Sequence, residues 1–164
     1  MKKYLVIGNP IEHSLSPKLH NHWIKQNNID AAYNKKQINE SDIEGIIAEI
    51  KNGKIDGINV TVPFKKLIIP FLDKLTPIAN ETRSVNTIYK ENKNGVGVVV
   101  GDNTDVGGFK QSLEYISYNV KNKKVFILGA GGVVPSILKA LEKLKVAKVY
   151  ISNRTKEKAK DLES

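Results

Sequence analysis

The chain of 164 residues is 40% hydrophobic and 26% charged, the composition of a soluble globular protein with one domain, or one domain and part of another. Its 26 Lys and Arg outnumber its 17 Asp and Glu, which gives a formal net charge of +9. The lysines are scattered singly and in pairs, without a basic helix or a basic-aromatic stripe, so we expect neither a nucleic-acid nor a membrane partner.

Several kinds of site and location are excluded at the outset. Cysteine is absent, which excludes disulfides and thiolate metal sites. The histidines, His13, His20 and His22, have no carboxylate or cysteine partners at metal-ligand spacing, so we expect no metal. No apolar run is long enough to span a bilayer, and the first residues lead into a strand rather than a signal peptide. We therefore expect a cytoplasmic protein.

The first predicted elements alternate between strand and helix. KYLVIGN (3–9) predicts a buried strand, and Ser16-Pro17 predicts a helix start with Ser16 as N-cap. AAYNKKQI is a candidate strand. Asn39 is the expected cap of the next helix, which carries Ile43, Ile46, Ile47 and Ile50.

The stretch GINVTVPFKK (57–66) predicts a strand with one apolar and one polar face. Apolar residues that end with Val62 alternate with Asn59 and Thr61, and Lys65 follows just beyond Pro-Phe. Because Asn is depleted in strands, an asparagine at this position indicates a role other than folding. Taken alone, Lys65 reads as one of many surface lysines.

The second part of the chain repeats the alternation. Short helices interrupted by proline are expected over 64–82, then strands around SVNTIYK and GVGVVVG and a helix from about Asp105 to Ile116. KKVFILGAGG predicts a buried strand entering a glycine turn, VVPSILKALEKL a helix and AKVYISNR a strand. This pattern predicts an α/β fold with a mostly parallel sheet built twice, and we place the boundary near 102–105.

The glycine turn has the context of a phosphate-binding site, because it follows a strand and opens a helix. In GAGGVV (129–134), Gly129 would make the tight turn and Gly131 would let backbone amides approach a pyrophosphate. The usual third glycine is Val134, so the match is incomplete, and a glycine-rich connection without a ligand remains an alternative.

Where an acidic residue would hold the ribose of NAD, this sequence has Asn153, Arg154 and Thr155. A guanidinium suits a 2′-phosphate, so we expect NADP, and Lys158 could add charge to the same site. The alternative is that Asn153 or Thr155 caps the following helix and Arg154 is solvated.

Other polar residues stand at strand edges or helix starts. In HSLSP (13–17), Ser14 and Ser16 would point the same way if the segment is extended, although Ser16 could be only an N-cap. In GDNTD, either Asn103 or Thr104 could cap the helix that begins near Asp105. Asn86 is expected within a strand. Together these insertions predict strand ends that converge on a polar ligand.

The sequence resembles the shikimate dehydrogenase family. GNPIEHSLSPKLHN, GINVTVPFK, SVNTI, GDNTD and GAGG…NRT occur in the family's order, from residue 4 to about residue 160. The resemblance implies an α/β substrate-binding domain over 1–104 and the first part of a Rossmann-type NADP-binding domain over 105–164. It implies NADP-dependent interconversion of shikimate and 3-dehydroshikimate in aromatic amino-acid biosynthesis.

The resemblance also implies a role for each matching residue. Ser14 and Ser16 would hold the substrate carboxylate, and Lys65 and Asp105 would form the catalytic pair. The ring hydroxyls would be held by Asn59, Thr61, Asn86 and Asp105. The residues expected to bind NADP are Gly129, Ala130, Gly131, Gly132, Val133, Asn153, Arg154, Thr155 and Lys158.

Two departures from the family pattern leave alternatives open. Arg83 and Ser84 stand where the family usually has Gly-Ala, and the family continues for roughly another half domain. We therefore expect a C-terminally truncated enzyme, as a monomer or homodimer. A quinate dehydrogenase and a non-catalytic substrate-binding module are the competing hypotheses.

Overall fold

The computed structural model describes residues 1–93 and 95–163, and the chain divides into two compact units, Met1–Asp102 and Asn103–Ser164. Each unit has its own sheet: one of six strands and one of two. The expected α/β class is confirmed.

The sheet of the first unit is parallel except for one strand. Its strands are β1 (Lys2–Gly8), β2 (Ala31–Gln37), β3 (Gly57–Val60), β4 (Lys74–Leu75), β5 (Thr87–Lys93) and β6 (Val96–Asp102). They lie in the order β2-β1-β3-β5-β6-β4, and only β5 is antiparallel to its neighbours. The mostly parallel prediction is therefore confirmed, whereas the two-residue β4 was not predicted.

The helices of the first unit bury an isoleucine stripe against this sheet. They are α1 (Ser16–Gln26), α2 (Ile43–Lys51), α3 (Phe64–Leu67) and α4 (Pro77–Thr82), with 3-10 turns at Glu40–Asp42 and Ile69–Phe71. The four predicted isoleucines of α2 are all buried, in one core with Ile7, Ile58, Val60, Ile88 and Val99. The predicted cap is displaced by one turn: Asn39 is the N-cap of the 3-10 turn Glu40–Asp42 that leads into α2, and its N–H donates to Asp42 Oδ2 over 2.8 Å, whereas the N-cap of α2 itself is Asp42.

The second unit is a single βαβ motif with an added helix at each end. It consists of α5 (Asp105–Tyr115), β7 (Lys124–Leu128), α6 (Val134–Lys143), β8 (Lys148–Ser152) and α7 (Lys156–Lys160), with β7 and β8 parallel. The prediction of a buried β7 is wrong for one face: Phe126 is 63% and Leu128 82% exposed, while Val125 and Ile127, which alternate with them, are half-buried. One face of this two-stranded sheet is uncovered among the described residues of the unit.

Three local predictions in the first unit are also wrong. Ser16 is the first residue of α1 rather than its N-cap, which is Leu15. Asn86 lies just before β5 rather than within a strand. Val62 is 54% exposed, because β3 ends at Val60 and the alternation of faces ends with it.

The described residues include neither a membrane-spanning helix nor a cluster of metal ligands. None of their helices combines the length and the apolar character needed to cross a membrane. They contain no group of three or more His, Asp or Glu side chains that could hold a metal ion.

Candidate functional site

The sheet register brings polar residues of the first unit to one edge. Asn59 lies beside Val6 of β1 and opposite Thr87 of β5, and Thr87 lies opposite Asp102 of β6. The carboxyl ends of parallel strands form the usual ligand-binding edge of an α/β sheet. The antiparallel β5 brings its amino end to the same edge.

Ser14 and Ser16 are joined by a local hydrogen bond at the start of α1. The Ser16 N–H donates to Ser14 Oγ over 3.3 Å, and the Ser14 N–H donates to the Ile11 carbonyl over 3.0 Å. Leu15 between them is helical, with φ −87° and ψ −5°, and is 76% exposed. The segment is therefore not extended, so the expected alignment of the two hydroxyls by an extended backbone is not present. The segment does hold both serines beside the N-terminus of α1.

Asn59 is held on both sides of its amide. Its Oδ1 accepts a hydrogen bond of 2.6 Å from the Tyr33 hydroxyl. Its Nδ2 donates to the Asn86 carbonyl over 3.2 Å and to Thr87 Oγ1 over 3.1 Å. The structure therefore joins Asn59 to Asn86, as the convergence hypothesis requires. The Tyr33 contact was missed, because the sequence shows only a tyrosine in a short polar strand.

Thr61 is placed by the backbone and by the glycine beside it. Its N–H donates to the Ile7 carbonyl over 2.9 Å, which continues the β1–β3 ladder one residue beyond β3. A Cβ on Gly8 would lie 2.6 Å from Thr61 Cγ2 and 2.9 Å from Ile11 Cδ1. Gly8 therefore leaves the space that Thr61 occupies.

Lys65 differs from the other lysines in its burial. It lies in α3, just after the β3 strand, and is only 9% exposed, whereas the adjacent Lys66 is exposed. Its carbonyl accepts the Val85 N–H over 2.8 Å. The structure therefore does not place Lys65 among the exposed surface lysines.

Asn86 is tied to both neighbouring strands by its backbone. Its N–H donates to the Asp102 carbonyl over 3.0 Å, and its carbonyl accepts the Val60 N–H over 2.9 Å. Its Oδ1 accepts from the Thr87 hydroxyl over 3.0 Å. Asp102 ends β6, and its Oδ1 accepts from Thr76 Oγ1 over 2.6 Å.

In the second unit, Thr104 stands at the N-cap position of α5 but makes no side-chain capping hydrogen bond, and the side chain of Asn103 accepts from the first turn instead. Its Oδ1 accepts the Asp105 N–H over 3.0 Å and the Val106 N–H over 3.4 Å. Its Nδ2 donates to the buried Ser136 hydroxyl of α6 over 2.8 Å. This pair anchors the start of α5, where Asp105 is the first helical residue.

The glycine turn is pinned by the end of the next strand. Gly129 has φ +107° and its N–H donates to the Ser152 carbonyl over 2.7 Å. The Ala130 N–H donates to Asn153 Oδ1 over 3.1 Å, and Asn153 Nδ2 donates to the Thr155 carbonyl over 2.7 Å. Neither expected capping role is seen: the Asn153 side chain links the two loops, and Thr155, at the N-cap position of α7, has no side-chain capping hydrogen bond.

The space around this turn suits a phosphate group. A Cβ on Gly131 would meet no heavy atom within 4 Å. Gly132 and Val133 are exposed and lead into α6, whose N-terminus favours an anion. Arg154 and Thr155, which follow β8, and Lys158 of α7 are exposed. The residues present therefore fit the phosphate end of NADP.

Comparisons with known proteins agree along the chain. The family model "Shikimate dehydrogenase substrate binding domain" matches residues 6–88, and "Shikimate / quinate 5-dehydrogenase" matches residues 111–164. Shikimate dehydrogenase (NADP(+)) of Pelagibacter ubique is 58% identical over 161 residues, which are 98% of this chain and 59% of that protein.

Solved structures give the same result. Shikimate dehydrogenase from Aquifex aeolicus has a TM-score of 0.88 at 42% identity, covering 99% of this chain and 59% of the other. The enzyme from Thermus thermophilus in complex with NADP(H) and shikimate has a TM-score of 0.86 at 29% identity, with coverage of 99% and 59%. The chain thus spans 59% of the length of each of these relatives.

Proposed function

Because the chain belongs to the shikimate dehydrogenase family, we propose that it carries the substrate site and part of the cofactor site of an enzyme that interconverts shikimate and 3-dehydroshikimate with NADP. The observation that carries this proposal is the buried Lys65, whose carbonyl accepts the N–H of Val85, the residue before Asn86 at the polar edge that Asn59 and Asn86 form. Residues 6–88, which match the substrate-binding family model, include all three.

We assign Ser14 and Ser16 to the substrate carboxylate. Since Ser14 Oγ accepts the Ser16 N–H, its own hydrogen remains available to donate to a ligand. Hydroxyl donors at the N-terminus of α1 suit a negative charge, because the helix dipole is positive there. Asn59, Thr61 and Asn86 then face the ring hydroxyls.

Lys65 acts in this proposal as the proton donor. Reduction of a ketone develops negative charge on oxygen, and an ammonium group can stabilise that charge and deliver the proton. In the reverse direction the neutral amine accepts the hydroxyl proton. Asp105 keeps the role that the family resemblance implies for it, the second member of the catalytic pair.

NADP, when bound, supplies or accepts the hydride. The chain's contribution is to hold the phosphates on the amides after Gly129, with Asn153 keeping the turn in place. Arg154 and Lys158 are assigned to the 2′-phosphate, where an acidic residue would favour NAD.

A chimera tests this proposal directly. In it, the 164 residues replace the corresponding part of the Pelagibacter ubique relative, and turnover is followed by the absorbance of reduced cofactor. We expect shikimate-dependent turnover that falls by about 10²–10⁴-fold in Lys65→Ala. The exposed neighbour supplies the control, Lys66→Ala, which should stay near the parent rate.

Two outcomes would contradict the proposal. One is a folded chimera that binds NADP without oxidising shikimate; the other is a Lys65→Ala variant as active as its parent. Quinate is assayed in parallel, because the second family model includes quinate dehydrogenases. Greater turnover with quinate would replace the substrate assignment but retain the role of Lys65.

A further inference from the structure

Tyr33 is held in place by two consecutive residues of α1. Asn21 bonds both backbone groups of Tyr33: its Oδ1 accepts the N–H over 3.0 Å and its Nδ2 donates to the carbonyl over 2.7 Å. His20 stacks on the phenol ring, with centroids 4.2 Å apart and planes inclined by 3°. Tyr33 is 3% exposed and packs with Val6 and Ile11. An edge-strand tyrosine is therefore fixed in both backbone and ring.

The direction of the bond between Tyr33 and Asn59 follows from the next partner. The Asn86 carbonyl can only accept, so the Asn59 atom that faces it over 3.2 Å must be Nδ2. Oδ1 then faces the Tyr33 hydroxyl, which must donate over 2.6 Å. Burial raises the pKa of Tyr33, so its hydroxyl keeps the proton that it donates.

Hydrogen-bond donation continues in the same direction from Asn59 through Thr87 to Asn86. Thr87 Oγ1 accepts from Asn59 Nδ2 over 3.1 Å, and its single hydrogen goes to Asn86 Oδ1 over 3.0 Å. The chain of donation is therefore Tyr33 to Asn59 to Thr87 to Asn86. Each member donates to the next, and the series begins outside the predicted ligand residues.

We propose that Tyr33 is a positioning residue for the substrate site: through Asn59 and Thr87 it fixes the orientation of both asparagine amides. This inference rests on the proposed function, since it assigns the amides to a ligand. Tyr33 itself makes no contact with substrate in this assignment.

The network also determines what Asn59 can offer a ligand. Both Nδ2 hydrogens have acceptors, and one lone pair of Oδ1 is used by Tyr33. The remaining lone pair of Oδ1 can only accept. Asn59 therefore selects a hydroxyl donor, which fits a substrate hydroxyl that persists through the reaction better than the oxygen that becomes a ketone.

The test compares Tyr33→Phe with Tyr4→Phe in the full 164-residue chain. Tyr33→Phe removes the hydroxyl and keeps the ring, and Tyr4 packs against the same small cluster, so it is a matched control. NMR of the side-chain amides of Asn59 and Asn86 reads the network without a ligand. Titration with shikimate gives the dissociation constants of the parent chain and of these two variants. It also gives those of Asn59→Ala and of the double variant that carries both Asn59→Ala and Tyr33→Phe.

We expect both amide resonances to move in Tyr33→Phe and to stay in place in Tyr4→Phe. The shikimate dissociation constant should rise about three- to tenfold in Tyr33→Phe, the loss of one neutral hydrogen bond. In the Asn59→Ala background, the same change should have no further effect, because Tyr33 acts through Asn59.

Unmoved amide resonances in Tyr33→Phe would overturn the proposal, and so would an equal loss of affinity in the Asn59→Ala background. Failure of the parent chain to bind shikimate would instead count against the proposed function. The amide resonances would still decide whether Tyr33 orients the two asparagines.

Discussion

Gly8 shows at the scale of one residue how the fold makes room for Thr61, which we propose as a ligand residue. Alanine there would place Cβ 2.6 Å from Thr61 Cγ2 and 3.1 Å from the Val62 carbonyl. We expect Gly8→Ala to destabilise the chain by about 1–3 kcal/mol, since neighbours in a packed site must shift. It should also weaken shikimate binding, because Thr61 moves.

Thermal unfolding and a shikimate titration measure the two effects of Gly8→Ala. Gly45→Ala is the control: this glycine lies within α2, and an added Cβ meets no atom within 4 Å. It should stabilise the helix by about 0.5–1 kcal/mol. If Gly8→Ala has the same thermal stability and shikimate affinity as Gly45→Ala, the close approach of Gly8 to Thr61 affects neither stability nor binding.

Arg154 is the residue on which the cofactor preference depends in our account. Arg154→Gln should raise the dissociation constant for NADP about tenfold or more and leave that for NAD nearly unchanged, since only NADP has the 2′-phosphate. Cofactor titrations of the chain measure both constants. Lys148→Gln, at the start of β8, is the control. If the ratio of the dissociation constants for NADP and NAD does not change, a residue other than Arg154 recognises the 2′-phosphate.

Single residues could be identified from the sequence as candidate site residues where a polar side chain interrupted an apolar strand pattern. Asn59 stood out because an amide interrupts a strand, and Lys65 became a candidate through the family motif. Tyr33 could not be predicted, because its contact with Asn59 crosses from β2 over β1 to β3 and exists only once the sheet has formed.

At the scale of elements, Asp73 joins α2 to β6. Its Oδ1 pairs with Lys51 Nζ over 2.9 Å, and its Oδ2 accepts the Val99 N–H over 2.8 Å. The hydrogen bond from Lys51, and then that from Val99, lower the pKa of the Asp73 carboxyl. A carboxyl whose pKa falls on folding stabilises the protein above its unfolded pKa, and this contribution is lost as the pH falls through the folded one.

We therefore expect Asp73→Asn to cost about 1 kcal/mol near neutral pH, a value kept small because solvent screens this half-exposed pair. The difference from the parent should shrink below about pH 4. Thermal unfolding as a function of pH measures it, with Glu44→Gln on the exposed side of α2 as control. A difference that persists unchanged into acid would exclude the ionised carboxylate as its cause.

Elements were predicted well where one periodicity runs without interruption. The isoleucines of α2 repeat at helical spacing and are all buried. The prediction failed at Val62, where the turn into Pro63 ends the strand, and at Ser16, where the helix begins one residue early. Ends of elements depend on local turn geometry that an alternating pattern does not contain.

For the whole molecule, the alternation of strands and helices gave the two sheets and their largely parallel order. The apolar run of β7 was interpreted as a buried strand, but the exposures of Phe126 and Leu128 show one uncovered face. Periodicity reports which residues are apolar, whereas burial depends on which layers surround the strand. The family motifs, by contrast, identified the candidate ligand residues independently of burial.

The central claim, that Met1–Asp102 forms a shikimate-binding unit, is tested most directly by titrating the purified 164-residue chain with shikimate. Calorimetry of the parent chain, of Ser14→Ala and of the exposed control Ser41→Ala gives the three dissociation constants. Our account predicts saturable binding that weakens about tenfold in Ser14→Ala, the loss of one hydrogen bond to a carboxylate, and is unchanged in Ser41→Ala. Absent binding, or equal affinity in all three proteins, would contradict it.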